Sequence, residues 1–233
     1  MNRVHRTAVV ERGVELGDGN VIGPYAVLAG PCVLGDDNWV GPHAVVGTPA
    51  QVLGGPHPPV DADQDAPAGT GVRIGSGVVL REGATVQQGT RSVTVVGDGA
   101  YVMAGAHVNH DAEVGAGVVL SNGVVLAGHV WVGPRANLGM GAVVHQYGVV
   151  GAGAMVGMAA AVRRSVQPYS VVVGAPSRFV RVNHRAVSAL GLDDDVLDHV
   201  LSTLAEHLAG RGAPPTELAE DFAAYSARTA ALG

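Results

Sequence analysis

The sequence predicts an all-β fold with a small α-helical appendix, a parallel β-helix built from six-residue repeats. Three observations predict it. Aliphatic residues recur at every sixth position over most of the chain, small residues flank them, and glycine is abundant while aromatics are scarce. With 35 glycines and only 4% Phe, Trp and Tyr, the core must consist of many small, regularly placed side chains.

The repeat opens at Val4 and steps through Val10, Leu16, Ile22, Leu28, Leu34, Val40 and Val46. The next position is usually small (Gly17, Gly23, Ala29, Gly35, Gly41, Gly47), and the fifth is compact (Ala8, Asn20, Ala26, Cys32, Asn38, Ala44). The pattern resumes at Ile74, Leu80 and Val86, then runs unbroken in steps of six from Val96 to Val162. A period of six fits neither a helix nor plain strand alternation. It fits short strands joined by sharp corners, each aliphatic pointing into a narrow core and the glycine beside it relieving crowding at the turn. Three such strands close a triangular coil of about 18 residues, and coils stack at about 4.8 Å.

Two stretches interrupt the repeat. Residues 48–73 carry Pro49, Pro56, Pro58, Pro59 and Pro67 and read as a long excursion from one corner; such loops in compact folds are often functional. Asp61, Asp63 and Asp65 lack the glycine and glutamate that a calcium loop requires at fixed spacing, so a solvated loop is expected. The second interruption, Thr90 to Val95, reads as local. The repeat ends at Pro168 and Tyr169, which divides the chain into a β-helix over 1–169 and a tail over 170–233. In the tail, Val196, Leu197, Val200, Leu201, Leu204 and Leu208 form a helical stripe opened by an Asp193 cap. A second helix is expected from Thr216, after Pro214 and Pro215.

Composition narrows the function. A net charge of -6 gives no electrostatic reason to expect nucleic acid or an anionic membrane as partner. No apolar run is long enough for a membrane helix, and Met1–Thr7 has no signal-peptide character, so a cytoplasmic enzyme without membrane insertion is expected. Every basic residue is an arginine. Cys32 is the single cysteine and sits at a compact repeat position, as core filler; no intrachain disulfide can form.

Four of the ten histidines, His107, His110, His129 and His145, fall in the long unbroken run. Residues 18 apart stack on adjacent coils, which places Gly128 one coil beyond His110, Gln146 beyond Gly128, and His129 on Asp111. These are the parts of acyl transfer from a thioester. A histidine takes the proton of an attacking hydroxyl or amine, a backbone N–H holds the oxyanion, and a carboxylate orients the imidazole. No activated serine or cysteine is evident, so the acceptor attacks directly. Two rival readings remain. The histidines can be surface residues of a non-catalytic scaffold, or they can ligate zinc, as in β-helix carbonic anhydrases whose close histidine pair lies five residues apart. Here the close pair, His107 and His110, is three apart, and no metal is expected.

The run His107-Val108-Asn109-His110-Asp111, with Leu126-Ala127-Gly128-His129 and Val144-His145-Gln146-Tyr147, resembles the acyl-carrier-protein–UDP-N-acetylglucosamine O-acyltransferases of lipid A biosynthesis. Met155-Val156-Gly157 and Val166-Gln167-Pro168-Tyr169 also match, and the likeness extends to about Asn183. It implies a left-handed β-helix, a homotrimer, and an acyl-carrier-protein or coenzyme A thioester as co-substrate with no further cofactor. It implies His110 as general base, Asp111 as its orienting carboxylate and Gly128 as the oxyanion amide. His107, His129, His145 and Gln146 match residues lining a cleft between two subunits, and Gln51 and Asn183 match substrate contacts. Met158 matches the residue that ends the acyl tunnel, and a methionine there predicts a short or medium acyl group, such as a 3-hydroxyacyl.

Several positions depart from the family. Val52 and Gly54 stand where an acidic residue and a lysine are common, Gln87-Gln88 replaces a His-Arg pair, and Ala189 and Leu190 replace phosphate-contacting basic residues. The small-molecule acceptor is therefore read as UDP-N-acetylglucosamine or a related sugar nucleotide, with a non-nucleotide acceptor of specialised metabolism as the alternative.

Overall fold

The computed structural model describes residues 1–54 and 70–231, so Asp61, Asp63 and Asp65 lie outside the described residues. The repeat strands close into three parallel sheets, and the fold is a left-handed β-helix. The first sheet runs from Arg3–Val4 to Ser170–Val173 and ends in the antiparallel strand Arg178–Val182. The second runs from Val9–Val10 to Ala161–Val162, and the third from Val14–Leu16 to Val149–Val150. Register advances by one coil per strand: Tyr101 pairs with Val119, Val119 with Asn137, and Asn137 with Met155. Apart from the coil that holds the 48–73 excursion, where Trp39 pairs with Val79, one coil is longer, since Thr85 pairs with His107, 22 positions on. The extra length is the bend around Gly89–Ser92.

The inward aliphatics form one continuous core. Leu28, Val46, Val86, Val108, Leu126 and Val162 are all essentially unexposed, and the compact fifth position (Ala26, Ala44, Ala106, Ala142) lies against them. Each aliphatic so buried contributes roughly 1.5–3 kcal/mol.

Glycine has two separate uses at the corners. The position directly after the aliphatic lies against the next coil: a Cβ on Gly115 would sit 2.7 Å from the Pro134 nitrogen. That is the crowding the sequence implied. A second use was not anticipated. The third residue after most of the aliphatics adopts a left-handed conformation, as at Gly105, Gly123 and Gly141, each with φ 66°, where an L side chain is strained.

The coil continues past Tyr169, since Ser170–Val173 pairs in parallel with Met155–Val156 before the chain reverses. A short helix, α1 (His184–Ser188), then precedes α2 (Asp194–Leu208). Asp193 occupies the N-cap position of α2 but makes no side-chain capping bond. A 3₁₀ turn at Thr216–Leu218 leads into α3 (Ala219–Ala230). The tail packs its own small core of Val187, Val200, Leu204, Leu218 and Phe222 on Tyr169 and Val182. It is pinned where Arg135 and the Tyr169 hydroxyl both donate to Asp221, at 3.0 and 2.5 Å. Among the described residues, no helix is long and apolar enough to cross a membrane.

Candidate active site

The edge between the second and third sheets carries the chemistry. His110 is the second residue after Val108, and Asp111 the third, at the left-handed position with φ 60°. The same position one and two coils on holds His129 (φ 60°) and Tyr147 (φ 62°). The column packs face to edge: the His129 ring stacks on Tyr147 with centroids 4.6 Å apart and meets His110 edge-on at 5.1 Å.

Asp111 is the anchor. Its side chain has no solvent exposure, and its Oδ2 lies 2.7 Å from His110 Nδ1 and 3.6 Å from His129 Nε2. The long coil wraps it. The backbone N–H groups of Thr90, Arg91 and Ser92 donate to Oδ1 at 3.0, 2.7 and 2.7 Å, and the Thr90 hydroxyl donates to Oδ2 at 2.7 Å. From below, the Asp111 N–H donates to Thr94 Oγ1 at 2.8 Å. Burial pushes this carboxyl up, but the Ser92 amide, His110, the Arg91 amide and the Thr90 hydroxyl outweigh it and hold it well below the usual carboxylate range. Asp111 is therefore a carboxylate at neutral pH, and His110 donates Nδ1–H to it. That leaves Nε2 with a lone pair.

That nitrogen faces Gly128. A Cβ on Gly128 would lie 2.5 Å from His110 Cε1 and 2.6 Å from Nε2, so only glycine leaves room for the ring. Gly128 occupies the corner position that elsewhere takes Pro24, Pro42, Pro134 and Pro168, residues with no N–H at all. Its amide donates to no protein acceptor among the described residues. The His110 ring thus packs against the Gly128 backbone, whose N–H is uncommitted.

His129 is partly buried, and burial pushes its imidazole down; Asp111 opposes this, while His110 and Arg91 reinforce it. His110, Asp111 and His129 present ligand atoms within 4.8 Å of one another, in reach of a single cation. The donor set argues for hydrogen bonding instead, because both Asp111 oxygens already accept strong bonds from the 90–92 bend and from His110.

The other expected residues divide. His107 lies on the second sheet beside this edge, with Nδ1 against the Thr85 hydroxyl. His145 and Gln146 are exposed one coil beyond Gly128, with His145 Nδ1 3.1 Å from the Gln146 carbonyl oxygen. Gln51 lies on the same edge, its N–H donating to Gln87 Oε1 at 3.2 Å. Asn183 does not join His110: its amide donates to the Gly153 carbonyl at 2.8 Å, on the edge that holds Tyr169. Met158 is 69% exposed on the edge between the first and second sheets, so one chain does not bring it to His110. Cys32 is buried, and burial pushes its thiol up to about 12, an inert core group. Sequence reasoning missed the Thr90–Ser92 bend and Tyr147. The four extra residues in that coil were the available signal.

Comparison with known proteins follows the same lines. Residues 94–128 match the bacterial transferase hexapeptide family (six repeats). Acyl-[acyl-carrier-protein]–UDP-N-acetylglucosamine O-acyltransferase of Pseudomonas entomophila is 32% identical over 107 residues, 46% of this chain and 42% of that protein. Its counterpart in Pseudomonas putida strain F1 is 34% identical over 111 residues, 48% of this chain and 43% of that one. The chain thus spans less than half the length of the curated relatives it matches. Among solved structures, the UDP-N-acetylglucosamine acyltransferase of Campylobacter jejuni superposes with a TM-score of 0.77 at 26% identity, covering 96% of this chain and 95% of that one. That of Francisella novicida gives 0.66 at 28% identity, over 86% and 78%. The likeness to this acyltransferase family, read first from the histidine run, holds in sequence and in fold.

Proposed function

We propose that this chain, a left-handed β-helix resembling the UDP-N-acetylglucosamine O-acyltransferases, moves an acyl group from a carrier-protein or coenzyme A thioester to a sugar nucleotide. The observation that carries this reading is the His110 ring held between a buried Asp111 carboxylate and the backbone of Gly128, whose N–H has no protein acceptor among the described residues. His110 Nε2 takes the proton of the acceptor hydroxyl or amine as its oxygen or nitrogen attacks the thioester carbonyl. The carbonyl oxygen becomes an oxyanion and accepts the Gly128 N–H. Collapse breaks the carbon–sulfur bond, and the departing thiolate takes the proton back from His110. Asp111 holds the ring and stabilises the transient imidazolium.

Within one chain this site is an open edge. A homotrimer is proposed to close it. Beside His107, the outer face of the second sheet presents Val125 and Val143 to solvent, continuing to Met140 and Met158 on the next edge. That apolar strip fits a second copy of the chain and would bring a Met158 edge toward a neighbouring His110.

A second reading, a non-nucleotide acceptor of specialised metabolism, has one specific support. Gln88 turns its amide inward, donating to the carbonyls of Gly30 at 2.8 Å and Gly47 at 2.5 Å, so it is not available to a phosphate. Leu190 likewise packs in the tail core.

The test is a mass-spectrometric transfer assay with short and medium acyl thioesters, on carrier protein and on coenzyme A, with UDP-N-acetylglucosamine as acceptor. Wild type should form the acylated sugar nucleotide, and His110→Ala should lower the rate by about 10²–10⁴-fold. Equal product from both proteins would remove His110 from the mechanism.

A further inference from the structure

The chain returns from its long excursion at Thr70 and Gly71, and these two residues are fastened to the catalytic edge. Gly71 and Gly89 form an antiparallel bridge inside a helix of parallel coils. The Thr70 N–H donates to the Gly89 carbonyl, and the Gly71 carbonyl accepts the N–H groups of Gly89 and Thr94, each at 3.2 Å. The Thr70 hydroxyl donates to the Ser92 carbonyl at 2.5 Å. The two backbones meet too closely for side chains. A Cβ on Gly89 would lie 1.6 Å from the Ser92 carbonyl oxygen, and one on Gly71, at φ 87°, would lie 2.8 Å from that of Pro31.

This clasp closes the base of the bend that holds Asp111. Thr90, Arg91 and Ser92 are exposed, yet their three consecutive N–H groups converge on one carboxylate. Consecutive backbone donors make such an anion-holding nest only in one curvature. Ser92 gives its N–H to Asp111 and takes the Thr70 hydroxyl on its carbonyl. Thr94 gives its N–H to Gly71 and takes the Asp111 N–H on its hydroxyl oxygen. The bend is thus gripped by residues 70–71 at its base and by Asp111 at its tip. Exposed backbone bonds with little apolar packing lie at the low end of local stability, so the curvature depends on that base.

We propose that Thr70 is a positioning residue, whose hydroxyl keeps the Gly89–Ser92 bend closed on Asp111 and through Asp111 fixes the His110 ring; the assignment rests on the acyl-transfer reading. Within the clasp, this hydroxyl is the side-chain group that ends on a residue itself bonded to Asp111. Its loss can therefore be tested without touching the bend, the carboxylate or the imidazole.

Thr70→Val keeps the shape and removes the donor, and Thr70→Ser restores it. Thr70 is exposed, so both variants should melt with wild type. Amide hydrogen exchange reads the bend directly. In Thr70→Val the Arg91 and Ser92 amides should exchange about 3- to 10-fold faster, the worth of one hydrogen bond. Coil amides such as Tyr101 and Val119, bonded to the next coil, should be unchanged. In the transfer assay kcat should fall by about 3- to 10-fold with KM for the thioester within about twofold, and Thr70→Ser should recover both readouts. Wild-type kcat in Thr70→Val, a loss that serine does not recover, or a loss without faster exchange at Arg91 and Ser92 would overturn the assignment. If those amides loosen as expected and wild type acylates no acceptor, the clasp on Asp111 stands and the acyl-transfer reading falls.

Discussion

The edge that carries His110 and the edge between the first and second sheets are the same turn repeated, yet they are furnished oppositely. At three successive coils one edge places Gly105, Gly123 and Gly141 at the left-handed position, all at φ 66°. The other places Asp111, His129 and Tyr147 there, at φ 60°, 60° and 62°. An L side chain in that conformation costs roughly 1–2 kcal/mol. At these three coils the glycine edge avoids the cost, which Tyr25, His43 and Ala159 accept elsewhere along it. On the other it is accepted three times in a row, and each time the side chain enters one connected group: carboxylate, imidazole, phenol. Backbone strain that the surrounding coil over-determines is a common mark of a functional site. Other corners hold left-handed side chains too, such as the stacked Tyr25 and His43, but among the described residues only this column joins them to a buried carboxylate.

Glycine variants break the comparison most sharply. Gly128→Ala adds a Cβ at 2.5 Å from His110 Cε1 without any left-handed strain. The ring must move, and a displacement of about 1 Å is expected to lower kcat/KM by about 10²-fold. Gly99→Ala, on the third edge, has open space around it but φ 63°. It should cost about 1–2 kcal/mol of stability in urea unfolding and leave transfer within about twofold. If Gly128→Ala is fully active, the packing of the His110 ring on Gly128 is not the catalytic centre.

The next effect concerns the grip on Asp111. Asp111→Asn should lower kcat by on the order of 10²-fold, because the orienting charge is gone. Thr90→Val, which removes only the hydroxyl at 2.7 Å, should lower it by about tenfold, with Thr90→Ser recovering most of it. The pH dependence of stability reports on the same group. The Asp111 pKa is lower folded than unfolded, so its stabilisation is complete above the unfolded value of about 3.9 and is lost as pH falls through the folded value. Wild type should therefore weaken progressively in urea unfolding below about pH 4, and Asp111→Asn should lack that component. Identical acid limbs for the two proteins would show that the 90–92 bend does not hold a charge.

These pairs also mark what was legible in the sequence. Stacking of Gly128 on His110 and His129 on Asp111 followed from the repeat, because inward aliphatics fix the register and the register fixes every outward residue. The bend at Thr90–Ser92 was not legible, and was read as merely local, because arithmetic by 18 fails where the coil has extra residues. The place of Asn183 depends on the chain reversing after Val173, a return that no period announces. The left-handed column was hidden for another reason: its glycines and its functional residues share one repeat position, so composition averaged over edges obscured both.

The smallest expected effect separates strain from stacking. Ala159 sits at the left-handed position of the glycine edge, with φ 53°. Ala159→Gly removes the strain of a Cβ there, offset by the greater freedom of glycine in the unfolded chain, for a net gain of about 0.5–1 kcal/mol. Tyr147→Gly relieves the same strain but also removes the ring stacked on His129 at 4.6 Å, an interaction of about 0.5–1.5 kcal/mol. The two should cancel, leaving stability within about 0.5 kcal/mol of wild type, while His129 loses its support and transfer slows. Matched denaturant curves for the two variants decide the point. If Tyr147→Gly stabilises as much as Ala159→Gly, the stack adds nothing to folding and the aromatic at that corner is retained only for what it presents to a substrate.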